Sequence, residues 1–338
     1  MKFIIYSLGL GLLMTSCTPK ETQVNNPYEF VQPSHFPPPT YSFDNNPITE
    51  KGFKLGKKLF NDPILSLDQS IACSNCHSKS VAFADPQHRL SVGIDDKVGI
   101  RNSPALANLA FMDAFFWDGG VTHLDFVPIN AIESDFEMGE RLQHVVAKLN
   151  QHAAYPALFQ AAFQQSDSIN APLLLHALSQ YLNLLVSADS KYDRYIKKEE
   201  NLSESEMAGL VLFEQKCSSC HEGVLFTDQT FRNNGLDAEF SDQGRAVISE
   251  GEEDKGKFRV PSLRNVALTR PYMHDGRFQT LEAVLEHYNT GVKWSATLDP
   301  VLQEGSTLGL TLTAQEQTQI LDFLHTLTDR SFIANEIF

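Results

Sequence analysis

The sequence predicts a mainly α-helical protein made of two tandem domains related by internal duplication. Three observations point there. Apolar residues recur at helical spacing, as in Leu174, Leu175, Leu178, Tyr181, Leu182 and Leu185, and again in Ile320, Phe323, Leu324 and Leu327. No sustained two-residue alternation of the kind that marks half-buried strands is present. Finally, blocks of the first half return in the same order in the second. Cys73-Ser-Asn-Cys76-His77 returns as Cys217-Ser-Ser-Cys220-His221, 144 positions on. Pro104-x-Leu106-x-Asn108-x-Ala110 returns as Pro261-x-Leu263-x-Asn265-x-Ala267, 157 positions on, and Asp118-Gly119 returns as Asp275-Gly276 at that same distance. The second half carries 13 extra residues between its first two blocks.

The bulk properties agree with a two-domain globular chain. At about 150 residues per domain, 338 residues suggest two domains. A hydrophobic content of 42% with 20% charged residues supports a core and argues against disorder, collagen or coiled coil. The net charge of −15 leaves no basic footprint for a phosphate backbone, so nucleic acid is not a partner. A small basic protein would be attracted instead.

The elements follow in chain order. Lys2, the apolar run Phe3–Met14 and the small residues Thr15 and Ser16 read as an export signal over residues 1–16. Leu13-Met-Thr-Ser-Cys17 resembles a bacterial lipobox, in which Cys17 is lipidated, becomes the first residue and anchors the chain to a membrane. An ordinary signal cut nearby is the alternative; either way the mature protein lies outside the cytoplasm, facing the periplasm. Residues 17–48 are rich in proline (Pro19, Pro27, Pro33, Pro37, Pro38, Pro39, Pro47) and form a tether, since proline blocks helices and central strands, with its aromatic positions expected to pack on the surface. Domain one spans 49–198 and domain two 199–338. Ser203 with Glu206 forms a capping box that opens a helix running to about Lys216. Residues 250–257, charged and glycine-containing, read as a loop.

Cys-x-x-Cys-His is the attachment signature of c-type haem. Two thiols about one helical turn apart can bond the two vinyl groups of one haem, and the adjacent histidine then faces the iron. A single zinc site from four thiolates, or a pair of redox disulfides, would leave the repeated histidine unexplained. The motifs therefore predict two tandem cytochrome-c-like haem domains. Cys73, Cys76 and axial His77 hold haem one; Cys217, Cys220 and axial His221 hold haem two. The sixth position of each iron decides function: methionine or histidine makes a carrier, whereas an empty site binds peroxide or dioxygen.

A larger set of blocks resembles the bacterial di-haem cytochrome c peroxidases and their MauG-type relatives, from about residue 50 to 327. It comprises Gly56-Lys-Lys-Leu-Phe60, the two Cys-x-x-Cys-His motifs, Arg101-Asn-Ser-Pro104, Phe116-Trp-Asp-Gly119, Glu137-Met138-Gly139, Pro261-Ser-Leu-Arg-Asn-Val-Ala-Leu-Thr269 and Pro271-Tyr-Met-His-Asp-Gly276. The resemblance implies that haem one is peroxidatic and haem two relays electrons to it. It implies that Trp117 is the inter-haem tryptophan and Glu137 the distal, proton-handling glutamate. Asn102 then belongs to a calcium site near the interface, whose other ligands are mainly backbone carbonyls and water.

Two departures from the peroxidase pattern matter. Many of these peroxidases close the oxidised peroxidatic haem with a histidine shortly before Arg-Asn-Ser-Pro; here Ser91-Val-Gly-Ile94 places isoleucine there, so haem one is expected to be open in the ferric state, with His88 the substitute after loop movement. The relay haem usually takes a methionine; the matching place here is Tyr288, as in MauG-like proteins, with Met273 and His287 as competitors. A phenolate should lower the potential that methionine raises. Val127, near where relatives often carry a glutamine, removes further polarity.

The resulting expectation is a di-haem peroxidase that reduces hydrogen peroxide to water with electrons from a small periplasmic redox protein, a cytochrome c or cupredoxin. One alternative is a MauG-like oxidase that modifies a protein substrate. Another is a non-enzymatic di-haem electron-transfer cytochrome, which needs a further ligand for haem one. Dimers are common among the similar peroxidases.

Overall fold

The computed structural model describes residues 26–164 and 168–338. Cys17 and the export signal lie outside the described residues. Helices carry the framework: α1 (Glu50–Phe60), α2 (Cys73–Cys76), α3 (Val127–Glu133), α4 (Leu142–Gln151), α5 (Tyr155–Ala162) and α6 (Ala171–Asn183) come first. They are followed by α7 (Lys191–Ile196), α8 (Glu204–Lys216), α9 (Ala246–Ser249), α10 (Leu281–Glu286), α11 (Ala314–His325) and α12 (Arg330–Ala334). Strands among the described residues are two-residue pieces. Strands β1 (Phe231–Arg232) and β2 (Phe258–Arg259) pair antiparallel with Phe231 opposite Arg259, and β3 (Gln303–Glu304) pairs with β4 (Thr307–Leu308). The Ser203–Glu206 capping box forms as expected and opens α8, which ends at Lys216. The 250–257 loop contains a single turn at Glu252–Asp254.

The duplication is visible in the packing. In the first half α1 crosses α6, and in the second α8 crosses α11. Each crossing is tightened by glycine. A Cβ on Gly56 would lie 1.9 Å from the Ala177 carbonyl oxygen, and one on Gly209 would lie 1.9 Å from that of Gln319. The next contacts are Tyr181 and Phe323, respectively. Asn108 and Asn265, at matching places in the repeat, donate their backbone N–H to Leu185 and Leu327 at the ends of those helix pairs. Each crossing centres a hydrophobic cluster. The larger is built on Phe53, Leu59, Phe83, Leu174 and Tyr181, and the smaller on Phe213, Phe226, Ile320 and Phe323.

Where it is described, the proline-rich segment packs through its aromatic residues, and more deeply than on the surface. Phe36 and Tyr41 are buried in the first cluster, with Tyr28, Phe30 and Phe43 packed against it. Burying such rings is worth about 1.5–3 kcal/mol each, which fixes an extended strap that proline alone would leave loose. Tyr41 donates to Asp125 Oδ1 at 2.9 Å. His35 Nε2 meets Asp193 Oδ1 at 2.8 Å. The chain end returns as well: Phe332 of α12 stands 5.6 Å from Phe83, tying the last residues to the first core.

Candidate functional site

Each Cys-x-x-Cys-His motif forms a tight turn. In the first, the Asn75 side chain accepts from the Ala72 N–H at 2.8 Å and starts α2, while the His77 N–H donates to the Cys73 carbonyl at 3.0 Å. In the second, the His221 N–H donates to Cys217 at 2.9 Å. Both imidazoles are oriented alike. His77 Nδ1 donates to the Phe83 carbonyl at 3.1 Å, and His221 Nδ1 to the Phe226 carbonyl at 3.0 Å. That bond fixes the tautomer and leaves Nε2 with its lone pair for a metal. Phe83 and Phe226 both have left-handed backbones, φ 61° and 54°, which turn their carbonyls toward the rings. Burial pulls both histidine pKa values down, keeping the rings neutral.

The thiols are of the unactivated kind. Burial pushes Cys73 and Cys217 up to about 12 and Cys76 to about 11, far from the thiolate range that disulfide exchange uses. Among the described residues no three His, Cys, Asp or Glu side chains converge in a way that could hold an ion. One shared zinc site is thereby set aside. Two separate thiol pairs, each with an oriented imidazole, fit covalent haem.

In the second half a cavity is lined by Cys217, Cys220, His221, Met273 and Tyr288. Tyr288 lies in a π turn, His287–Gly291, that continues α10; such turns favour functional sites. Asn234 Nδ2 lies 3.5 Å from the Tyr288 hydroxyl and 3.3 Å from Met273 Sδ. Both candidate ligands therefore face one space. His287 does not join them: its Nε2 donates to the Asn234 carbonyl at 3.0 Å. Burial pushes the Tyr288 hydroxyl up to about 12, so its phenolate form calls for a cation beside it.

In the first half Glu137 is the perturbed group. Burial raises its carboxyl to about 7, and its charge acts on both Cys73 and Cys76. No described residue hydrogen-bonds its carboxyl. Its backbone carbonyl accepts from the Ile94 N–H at 2.8 Å. The Ile94 side chain, 4% exposed, lies where Gly139 has no Cβ; one there would sit 2.1 Å from Ile94 Cδ1. The loop that carries Ile94 is thus locked to the Glu137 turn. His88 is held instead by Asp85, Nδ1 to Oδ2 at 2.9 Å, and is 43% exposed. Val127 packs against the first core at the start of α3.

Between the halves stands Trp117. Its indole N–H donates to the Asn102 carbonyl at 2.8 Å, and its own carbonyl accepts from the Arg259 N–H at 2.7 Å. The His274 ring is 6.5 Å away and stacks on Phe258 at 3.7 Å. Asn102 is buried; its Nδ2 donates to the Arg89 carbonyl at 3.1 Å, and its side-chain oxygen takes no bond from a described residue, as a calcium ligand would require. Arg101 closes the seam with two bonds to Asp242 and one to Asp118.

Sequence reasoning passed over Asn234, Phe258 and Arg259. Only Arg259 carried a signal: it is the repeat partner of Asn102, both standing two residues before the proline of their block.

A predominantly helical fold with two oriented Cys-x-x-Cys-His turns and an aromatic seam defines a di-haem c-type oxidoreductase. The chain belongs to the di-haem cytochrome c peroxidase family, whose model matches residues 50–201. It is 30% identical to the methylamine utilization protein MauG of Methylophilus methylotrophus, over 95% of this chain and 94% of that protein. It is 32% identical to the cytochrome c551 peroxidase of Pseudomonas aeruginosa, over 84% and 80% of the two. Among solved structures, a MauG-like protein associated with microbial copper homeostasis superposes with a TM-score of 0.83 at 32% identity, covering 92% of this chain and 98% of that one.

Proposed function

We propose that the chain reduces hydrogen peroxide to water at its first half, fed with electrons through its second. Haem held by Cys73, Cys76 and His77, and a second held by Cys217, Cys220 and His221, supply the redox chemistry when bound. Tyr288 would hold the iron of the second haem, with Met273 its competitor. Glu137 accepts the proton of one peroxide oxygen and returns it to the other, so that water can leave as the O–O bond breaks. Two electrons, with two protons, complete two waters. A small redox protein, a cytochrome c or cupredoxin, delivers them singly, and Trp117 spans the seam they cross. Asn102 offers its side-chain oxygen to a calcium ion there. The protein faces the periplasm, held by a lipid on Cys17. Among the described residues no helix is long and apolar enough to cross a membrane.

The observation that carries this reading is the half-buried Glu137 carboxyl beside Cys73 and Cys76, which no described residue hydrogen-bonds. With a pKa near 7 it is poised to exchange protons at neutral pH. As the base, it must start as carboxylate, so turnover should fall as pH drops below about 7. Steady-state oxidation of reduced cytochrome c by peroxide tests it. Glu137→Gln should lose about 10²–10⁴-fold and flatten that acidic limb; a loss smaller than about threefold sinks the assignment.

A second reading, oxidation of a residue on another protein, is favoured by the Ile94 and Tyr288 placements, which are the MauG-like ones. Rapid peroxide consumption coupled to cytochrome c would exclude it as the main activity.

A further inference from the structure

Three arginines line the cavity that contains Cys217, Cys220 and His221: Arg232, Arg259 and Arg264. Two are neutralised. Arg232 pairs with Asp228 at 2.7 Å and Asp299 at 2.8 Å, and Arg264 with Asp193 at 2.7 Å. Arg259 pairs with no carboxylate among the described residues. Its Nε donates to the Phe116 carbonyl at 3.3 Å, and its Nη1 reaches only Met112 Sδ at 4.0 Å. Half-buried and facing the cavity, it is drawn down by desolvation to about 10, which still leaves it cationic at neutral pH.

Even a partly desolvated charge without a partner is a cost to the fold. The backbone holds this one in place. Arg259 sits in β2 opposite Phe231, and its N–H is bonded to the Trp117 carbonyl. The cation is therefore part of a built wall, and what is missing is an anion inside the cavity. A haem brings two propionate groups.

We infer that Arg259 is the counter-charge for a propionate of the haem held by Cys217, Cys220 and His221, and that it raises the reduction potential of that haem. The inference rests on the attachment proposed above. Its sign follows from charge: reduction removes one positive charge from the iron, so a nearby cation favours the reduced state. Arg259 thereby offsets the lowering expected from a Tyr288 phenolate. Its main-chain bond to Trp117 puts the same residue on the route between the halves.

The test compares the haem-loaded wild type, Arg259→Gln, Arg259→Lys and Cys217→Ser/Cys220→Ser. Haem per chain is counted first, by pyridine haemochrome absorbance. The double cysteine variant should hold one haem; retention of two would refute the attachment itself, whatever Arg259 does. Spectroelectrochemical titration then follows each haem. Arg259→Gln should shift the second haem's reduction equilibrium at least about tenfold toward the oxidised form, about 59 mV for one electron. The first haem should stay in place, and Arg259→Lys should restore most of the shift. Loss of the second haem in Arg259→Gln but not in Arg259→Lys would also support the charge pairing. An unchanged second potential, a shift confined to the first haem, or equal effects of Gln and Lys would overturn it.

Discussion

At the scale of single residues, the first half is defined by one group that can move a proton and one that cannot bind a metal. Glu137 and Ile94 share a backbone hydrogen bond of 2.8 Å, so the carboxyl proposed to handle protons and the isoleucine next to it are held as one unit. Ile94 has no lone pair, and its side chain fills the space over Gly139. The nearest histidine on that loop, His88, is committed to Asp85. Low-temperature EPR of the fully oxidised, haem-loaded protein should therefore show a high-spin ferric signal beside a low-spin one. Two low-spin signals would overturn the open site, and their loss in His88→Ala would identify the ligand. The identities of Glu137, Ile94 and His88 were legible in the sequence. The environment of Glu137 was not, because a carboxyl's desolvation depends on segments remote in the chain. For the second half the sequence ranked Tyr288 over Met273, and Asn234 contacts both, so the fold does not separate them.

At the scale of elements, the repeat explains why two different sequences build one architecture. The glycine at each helix crossing lets one backbone touch the other, and the aromatic residue beside it, Tyr181 or Phe323, closes the gap. Gly209→Ala would drive a methyl into the Gln319 carbonyl and the Phe323 side chain. The helices must part, at a cost of about 1–3 kcal/mol. A lowered urea midpoint with unchanged slope is the expected result; an unchanged midpoint would mean the crossing yields freely. The helices themselves were legible because periodicity and capping are local signals, and α8 begins at its Ser203 cap as read. The strap was not. Seven prolines show only that residues 17–48 cannot be helical; that Phe36 and Tyr41 find a core is a long-range fact.

At the scale of the whole molecule, the halves are joined by charge as much as by apolar contact. Asp193, fully buried on α7, accepts two bonds from Arg264 of the second half, at 2.9 and 2.7 Å. It also meets His35 of the strap, while the Arg264 guanidinium lies 4.4 Å from the Phe36 ring centroid. Strap, connecting helix and second half thus meet at one carboxylate. Although desolvation opposes it, the bonds from Arg264 and Ser190 hold the Asp193 pKa down to about 2, from an ordinary 3.8. A depressed carboxyl pKa stabilises the fold above the unfolded value and loses that contribution as pH falls through the folded one. The stability from this group is therefore intact above pH 4 and lost between about 4 and 2. Asp193→Asn leaves Arg264 as a buried, uncompensated cation and should cost about 3–5 kcal/mol at neutral pH. Replacing both partners, as Asp193→Asn with Arg264→Met, should recover part of that loss, because the stranded charge is removed along with its partner. Urea unfolding of the four proteins measures the coupling. If the double variant were as unstable as the two single losses added together, the charges would be acting independently, and the junction would owe its stability to the packing of Phe36 rather than to the ion pair.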